Sequence, residues 1–248
     1  MTRPEPAPAG GRSEFWESAR RGLLLGTAAL ALLLPPAVVH FAGGGLAVAL
    51  PQVVARHASF AAEQASPDVR HFANWVITTR DNGPMSFVIV DKKQAKVFLF
   101  EPNGRIKAAA PALLGAARGD DTVPGIGNKP IDAVLPEEKT TPAGRFVARL
   151  GASSTRGEDV VWVDYEAAVS MHRVLKVPER LAALASPTPN DNRMSFGCIN
   201  LPDAFYEKAL RPAARAGAVI YILPETRSLR ETFTAYYDVD APVKLAQH

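Results

Sequence analysis

The sequence predicts a mainly β domain, a sandwich or barrel of short strands with a few short helices. Short runs rich in Val, Ile, Phe, Trp and Tyr recur between Ser86 and Leu223. Turn chemistry separates them, as at Pro102-Asn103-Gly104 and Pro124-Gly125. Only one stretch ahead of them holds a sustained helical period. A content of 47% hydrophobic and 21% charged residues is that of a globular chain rather than a disordered one.

Residues 1–50 read as a signal peptide or an N-terminal membrane anchor. Thr2 to Ser18 is aperiodic, and Arg20-Arg21 precede the apolar run Gly22 to Leu34. Pro35-Pro36 interrupts that run, which disfavours one straight spanning helix. Ala47-Val48-Ala49 offers a small-x-small cleavage site, and the arginine pair hints at the twin-arginine route. Either reading exports the rest of the chain to the periplasm or cell envelope; the anchor would leave the N-terminus in the inner membrane.

Residues 51–84 form a helical lead-in, with helix expected from Gln52 to Thr79. Ser66 caps its second part, with Pro67 and Asp68 in the first turn. Val69, Phe72, Ala73, Val76 and Ile77 share one face. His71 and Trp75 lie four apart and read as packing residues rather than ligands. Asp81-Asn82-Gly83-Pro84 ends the helix.

Residues 85–224 hold the main domain. Ser86 to Asp91 and Ala95 to Phe100 pair as a hairpin, and Arg105 to Leu114 returns. Gly115 to Thr140 is long, polar and Gly/Pro-broken, the pattern of a functional loop or lid. Its Asp120 and Asp121 read as a solvated turn rather than a metal pair. Phe146 to Leu150 is a strand, and a strand pair from Val160 ends at His172, turning near Glu166-Ala167. Pro178 to Ala185 and Pro202 to Ala214 are helices, and Ala218 to Leu223 is the closing strand. Residues 225–248 are a C-terminal tail with little periodicity.

Cys198 is the only cysteine, so it forms no intramolecular disulfide. It is buried filler, an adventitious thiol or a nucleophile. The surrounding Ser195-Phe196-Gly197-Cys198-Ile199-Asn200 favours the nucleophile, because Gly197 permits a tight turn and close backbone approach. A free thiol has a pKa near 8.5 and needs a base or cationic partner. His172, 26 residues upstream at a strand end, meets that need, although an ordinary surface or core histidine is the blander alternative. Backbone N–H groups around Gly197 and Cys198 would hold an oxyanion.

His172 followed by Ser195-x-Gly197-Cys198-hydrophobic-Asn200 resembles the signature of the L,D-transpeptidases of bacterial cell walls, the YkuD-type catalytic domain. Thr140-Thr141-Pro142-Ala143-Gly144-Arg145-Phe146 resembles the family's Thr-Pro-x-Gly-x-Phe turn, and Gly115 sits where a strand-ending glycine is usual. The resemblance covers about residues 86–223. Phe196 departs from it, where histidine is common, and so does Arg173, where glycine is frequent. Both departures bear on substrate preference more than on the chemistry.

The resemblance implies a YkuD-like fold and a role in peptidoglycan biosynthesis, cell-wall biogenesis and cell shape. Cys198 would attack a tetrapeptide stem between the L-centre of its diamino acid and the terminal D-alanine. The acyl group would pass to a neighbouring stem, to a protein lysine such as that of an envelope lipoprotein, or to water. Cys198 and His172 would be catalytic, with Ser195 orienting His172 through its hydroxyl or main-chain carbonyl. Gly197, Asn200 and Arg193 would serve the oxyanion or the substrate. No cofactor or metal is implied.

A sortase-like transpeptidase and a non-catalytic wall-binding domain are the alternatives. A sortase would need an Arg on a strand opposite the thiol, and Ala218 to Leu223 has none. The net charge of +3 is too weak to argue for nucleic acid, and no aromatic-basic motif supports it.

Overall fold

The computed structural model describes residues 54–153 and 157–241; the expected signal or anchor over residues 1–50 lies outside them. Helix α1 (Pro67–Thr79) starts on the Ser66 cap, whose hydroxyl accepts the Val69 N–H at 3.3 Å. It does not extend back to Gln52. The residue before a proline is pushed out of the helical region, and Ser66 is extended at ψ 158°.

Strands β1 (Ser86–Asp91), β2 (Lys96–Phe100) and β3 (Ile106–Pro111) form the expected meander. The third run stops at Pro111 and resumes as the short β4 (Leu114–Gly115). The single strand expected over Phe146 to Leu150 is two, β5 (Gly144–Val147) and β6 (Arg149–Ala152), which pair in different sheets. Strands β7 (Asp159–Asp164) and β8 (Val169–Arg173) follow, then α2 (Pro178–Ala185), β9 (Arg193–Ser195) and β10 (Ile199–Leu201). Helix α3 comprises the segments Asp203–Phe205 and Arg211–Ala216 around a π-helical turn, Tyr206–Leu210. Strand β11 (Ala218–Ile222) and the short α4 (Leu229–Thr232) complete the described elements.

The architecture is mainly β with mixed sheets and a few short helices. One sheet runs β3-β2-β1-β11-β5, parallel only between β1 and β11. A second runs β10-β8-β7-β6, parallel only between β8 and β10. A parallel pair, β4 and β9, makes a third.

Strand periodicity sorts the core into two layers. Val88 and Val90 of β1, with Ile220 and Ile222 of β11, join Val161, Met171, Ile199 and Leu201 of the second sheet. Phe87, Ile89 and Tyr221 point the other way, onto Phe72 and Val76 of α1. Both faces of the central strands are therefore covered, which explains their near-continuous apolar runs. Beyond β11, Phe233 packs tilted against Phe72 and Tyr236 stacks on it, at centroid separations of 4.5 and 5.6 Å. Among the described residues no helix is long and apolar enough to cross a membrane.

Candidate active site

Strands β8 and β10 pair in parallel, setting Met171 opposite Ile199 and His172 opposite Asn200. Alternation turns Met171 and Ile199 into the core. Ser170, His172, Cys198 and Asn200 instead line a cavity of about 580 Å³, within the range of ligand sites. The Cys198 Sγ lies 3.7 Å from the Ser170 Oγ and 3.6 Å from the Ala168 carbonyl. Trp162 of β7 forms another part of the wall, as do Ile126, Gly127 and Ile131 of the long loop. That loop holds three short 3₁₀ turns, Ile126–Asn128, Ile131–Ala133 and Pro136–Glu138. Gly127 seats it, because a Cβ there would fall 2.1 Å from the Glu166 carbonyl oxygen.

The His172 Nδ1 is 2.8 Å from the main-chain carbonyl of Arg173. A carbonyl only accepts, so Nδ1 carries the proton and Nε2 is the basic nitrogen. This is the orienting contact that had been expected of Ser195. Ser195 instead braces the nucleophile turn: its hydroxyl donates to the Cys198 carbonyl at 2.6 Å and accepts the Gly197 N–H at 3.1 Å. Its own carbonyl accepts the Ala116 N–H at 2.9 Å. The Gly197 N–H is thereby committed, a correction to its expected oxyanion role.

The Thr140-Thr141 pair is the saddle under this turn. Gly197 has φ +122°, and a Cβ on it would lie 2.6 Å from the Thr140 carbonyl oxygen. The Thr141 hydroxyl donates to the Gly197 carbonyl at 2.8 Å and accepts the Gly115 N–H at 2.9 Å. The three sequence elements that carried the resemblance thus meet in one hydrogen-bonded knot.

Beneath the saddle lies a buried ionic cluster. The Lys92 ammonium, with no exposed side-chain surface, donates to Asp120 at 2.7 Å, to the Gly119 carbonyl at 2.6 Å and to the Thr141 carbonyl at 2.9 Å. Asp120 also accepts the Glu225, Thr226 and Arg227 N–H groups and the Thr226 hydroxyl. Burial would raise the Asp120 carboxyl, but these donors outweigh it and hold it well below the usual carboxylate range. Burial pushes Lys92 below the usual lysine range, an effect that the Asp120 and Glu225 carboxylates offset in part. The solvated turn expected at Asp120 is therefore a buried anchor, because Lys92 draws its carboxylate inward.

Arg193, expected to meet substrate, belongs to this cluster and not to the cavity wall. It pairs with Glu225 at 2.5 Å and donates to the Lys92 carbonyl at 2.7 Å. Arg173 faces away from the cavity, paired with Asp159 at 2.8 Å and Glu207 at 2.5 Å and lying 4.2 Å over the Tyr206 ring. Burial opposes its charge, but the two carboxylates prevail and raise the guanidinium above its ordinary value.

Asn200 does line the cavity. Its Nδ2 donates to the Cys198 carbonyl at 3.2 Å, and its Oδ1 accepts from the Arg180 Nη1 at 2.5 Å. Phe196 is 43% exposed at the cavity, with the Lys139 Nζ 4.1 Å from its ring centre. Sequence reasoning passed over Ser170 and Arg180. The period-2 step back from His172 marks Ser170, whereas nothing local distinguishes Arg180 from a surface arginine.

No family model matches the chain, and no curated protein does. Among solved structures it is similar to the helical cell shape determining protein Pgp2 of Campylobacter jejuni, at 14% identity and TM-score 0.38, over 59% of this chain and 49% of that one. It is also similar to the Enterococcus faecium L,D-transpeptidase, at 15% identity and TM-score 0.33, over 56% and 50%. A third is the Xylanimonas cellulosilytica L,D-transpeptidase, at 15% identity and TM-score 0.34, over 56% and 60%. The chain spans about half the length of the first of these structures.

Proposed function

We propose that the chain is a cysteine-dependent L,D-transpeptidase acting on peptidoglycan tetrapeptide stems. The observation that supports this reading is the parallel pairing of β8 and β10, which puts the Cys198 thiol and the His172 imidazole on one cavity wall. The imidazole is held in the tautomer a general base requires.

In the proposed reaction the His172 Nε2 takes the thiol proton as Sγ attacks the carbonyl of the diamino acid's L-centre. The oxyanion is held by the Cys198 N–H, since the Gly197 N–H is occupied. The tetrahedral species collapses, the C–N bond breaks, and His172 returns the proton to the departing D-alanine amine. An amine or water, giving its proton to His172, then attacks the thioester, the C–S bond breaks, and the proton returns from His172 to the Cys198 thiolate. The acceptor is a neighbouring stem, a protein lysine such as that of an envelope lipoprotein, or water. The work is done in the periplasm or envelope, with the N-terminal segment as export signal or inner-membrane anchor.

The test is D-alanine release from a purified tetrapeptide by the wild type and by Cys198→Ala and Cys198→Ser. Both variants are expected to fold and to lose release. Wild-type release by either would remove Cys198 from the mechanism.

A further inference from the structure

Arg180, on α2, lines the same cavity as Cys198 and His172. Its side-chain partners are both neutral, the Asn200 Oδ1 at 2.5 Å and the Met194 carbonyl at 3.5 Å. No carboxylate among the described residues pairs with it. The neighbouring cations differ: Lys129, also on the wall, is paired with Glu138 at 2.6 Å, Lys139 stands over the Phe196 ring, and Arg173 and Arg193 are tied up away from the cavity. A guanidinium carries five N–H donors, so donors remain after two are used, and the fork suits a carboxylate.

The position of this charge relative to the nucleophile is set by Asn200, which holds Arg180 through one end of its amide and the Cys198 carbonyl through the other. Asn200 lies two residues beyond Cys198, and both line the cavity; an extended chain spans roughly 6.6–6.8 Å over two residues. A carbonyl poised for attack sits about 3–3.5 Å from the sulfur. The next residue along a peptide adds about 3.8 Å. A group one residue past the bond being cut thus lies roughly 7 Å from the sulfur, on the scale of the spacing from Cys198 to Asn200, which carries Arg180 at its outer end.

We propose that Arg180 is a specificity-determining residue that receives the free C-terminal carboxylate of the leaving D-alanine. This rests on the transpeptidase reading and adds to it the feature of the donor that the cavity selects: a stem ending one residue beyond the cut. Arg180 takes no part in bond making. It places the leaving residue, and with it the scissile carbonyl, against Cys198.

The experiment compares two donors with the full chain, a tetrapeptide stem ending in D-alanine and the same stem ending in D-alaninamide. The released amine is quantified by mass spectrometry. Losing a charge-assisted contact is expected to give a wild-type ratio of kcat/KM, acid over amide, of roughly 10 to 100. Arg180→Gln is expected to bring the ratio to about one, and Arg180→Lys to leave it between the two. If Arg180 only supported Asn200, its replacement would slow both donors alike and keep the wild-type ratio; that result overturns the assignment. So does a wild-type ratio near one, which needs no variant to fold. A wild type that releases neither amine overturns the transpeptidase reading, and this inference with it.

Discussion

Replacing Asp120 by Asn keeps the shape of the side chain and removes its charge, and its consequence follows from the contacts. One carboxylate oxygen faces the Lys92 ammonium and the Glu225 N–H, and the other faces the Thr226 N–H, the Thr226 hydroxyl and the Arg227 N–H. An amide in either orientation turns an NH₂ group toward donors. The Lys92 ammonium is left fully buried, with Glu225 as its remaining carboxylate at 3.8 Å. Breaking one side of a buried pair costs about 3–5 kcal/mol. For a domain of this size each kcal/mol lowers Tm by roughly 2–4 °C, so Asp120→Asn is expected to melt on the order of 6–20 °C below the wild type at pH 7.

The pH dependence has a definite sign. The Asp120 carboxyl is depressed in the folded state, so its stabilisation is complete above the unfolded value of about 3.9 and fades as pH falls toward the folded one. The Asp120 contribution to the gap between variant and wild type should therefore fade below about pH 4. Thermal unfolding followed by circular dichroism measures it. A gap under about 2 °C at pH 7 would refute the anchoring role of the cluster.

Gly197→Ala puts a Cβ 2.6 Å from the Thr140 carbonyl oxygen on a backbone at φ +122°. A shift of the turn by about 1 Å would lower D-alanine release roughly 100-fold, and release at the wild-type rate would show that the saddle does not position the thiol. Phe196→His is expected to keep attack on the donor while changing the partition between crosslinking and hydrolysis, because the ring is exposed at the cavity beside Lys139. Mass spectrometry of muropeptide products checks this: an unchanged ratio of crosslinked dimer to trimmed tripeptide, with both rates falling together, would reduce Phe196 to packing.

Much of the fold was legible because its signals are local. Strand runs, the Ser66-Pro67 start and the Gly197-Cys198 turn are written in neighbours a few residues apart. The helix stops short of the upstream half of its expected range because Pro67 holds Ser66 out of the helical region. The arginines show where local reading ends. Arg193 and Arg180 are equally plain in sequence, yet Glu225, 32 residues away, draws one into the interior while Asn200 holds the other at the cavity. Asp120 likewise looked solvated because its partner Lys92 lies 28 residues earlier and its N–H donors more than 100 residues later. Ser195 was credited with a task that the Arg173 carbonyl performs, since main-chain acceptors have no sequence signature.

Strand β11 lies inside its sheet, between β1 and β5, although it is the last of the described strands in chain order. During synthesis β1 and β5 therefore wait, with bare hydrogen-bonding edges and apolar faces, for a partner made more than 70 residues after β5. A nascent chain in that interval is poorly protected against edge-to-edge association. Until Ala218–Ile222 is made, β1 and β5 lack the strand that joins them in the finished sheet. Truncation before Ala218 should yield aggregates rather than a weakened enzyme.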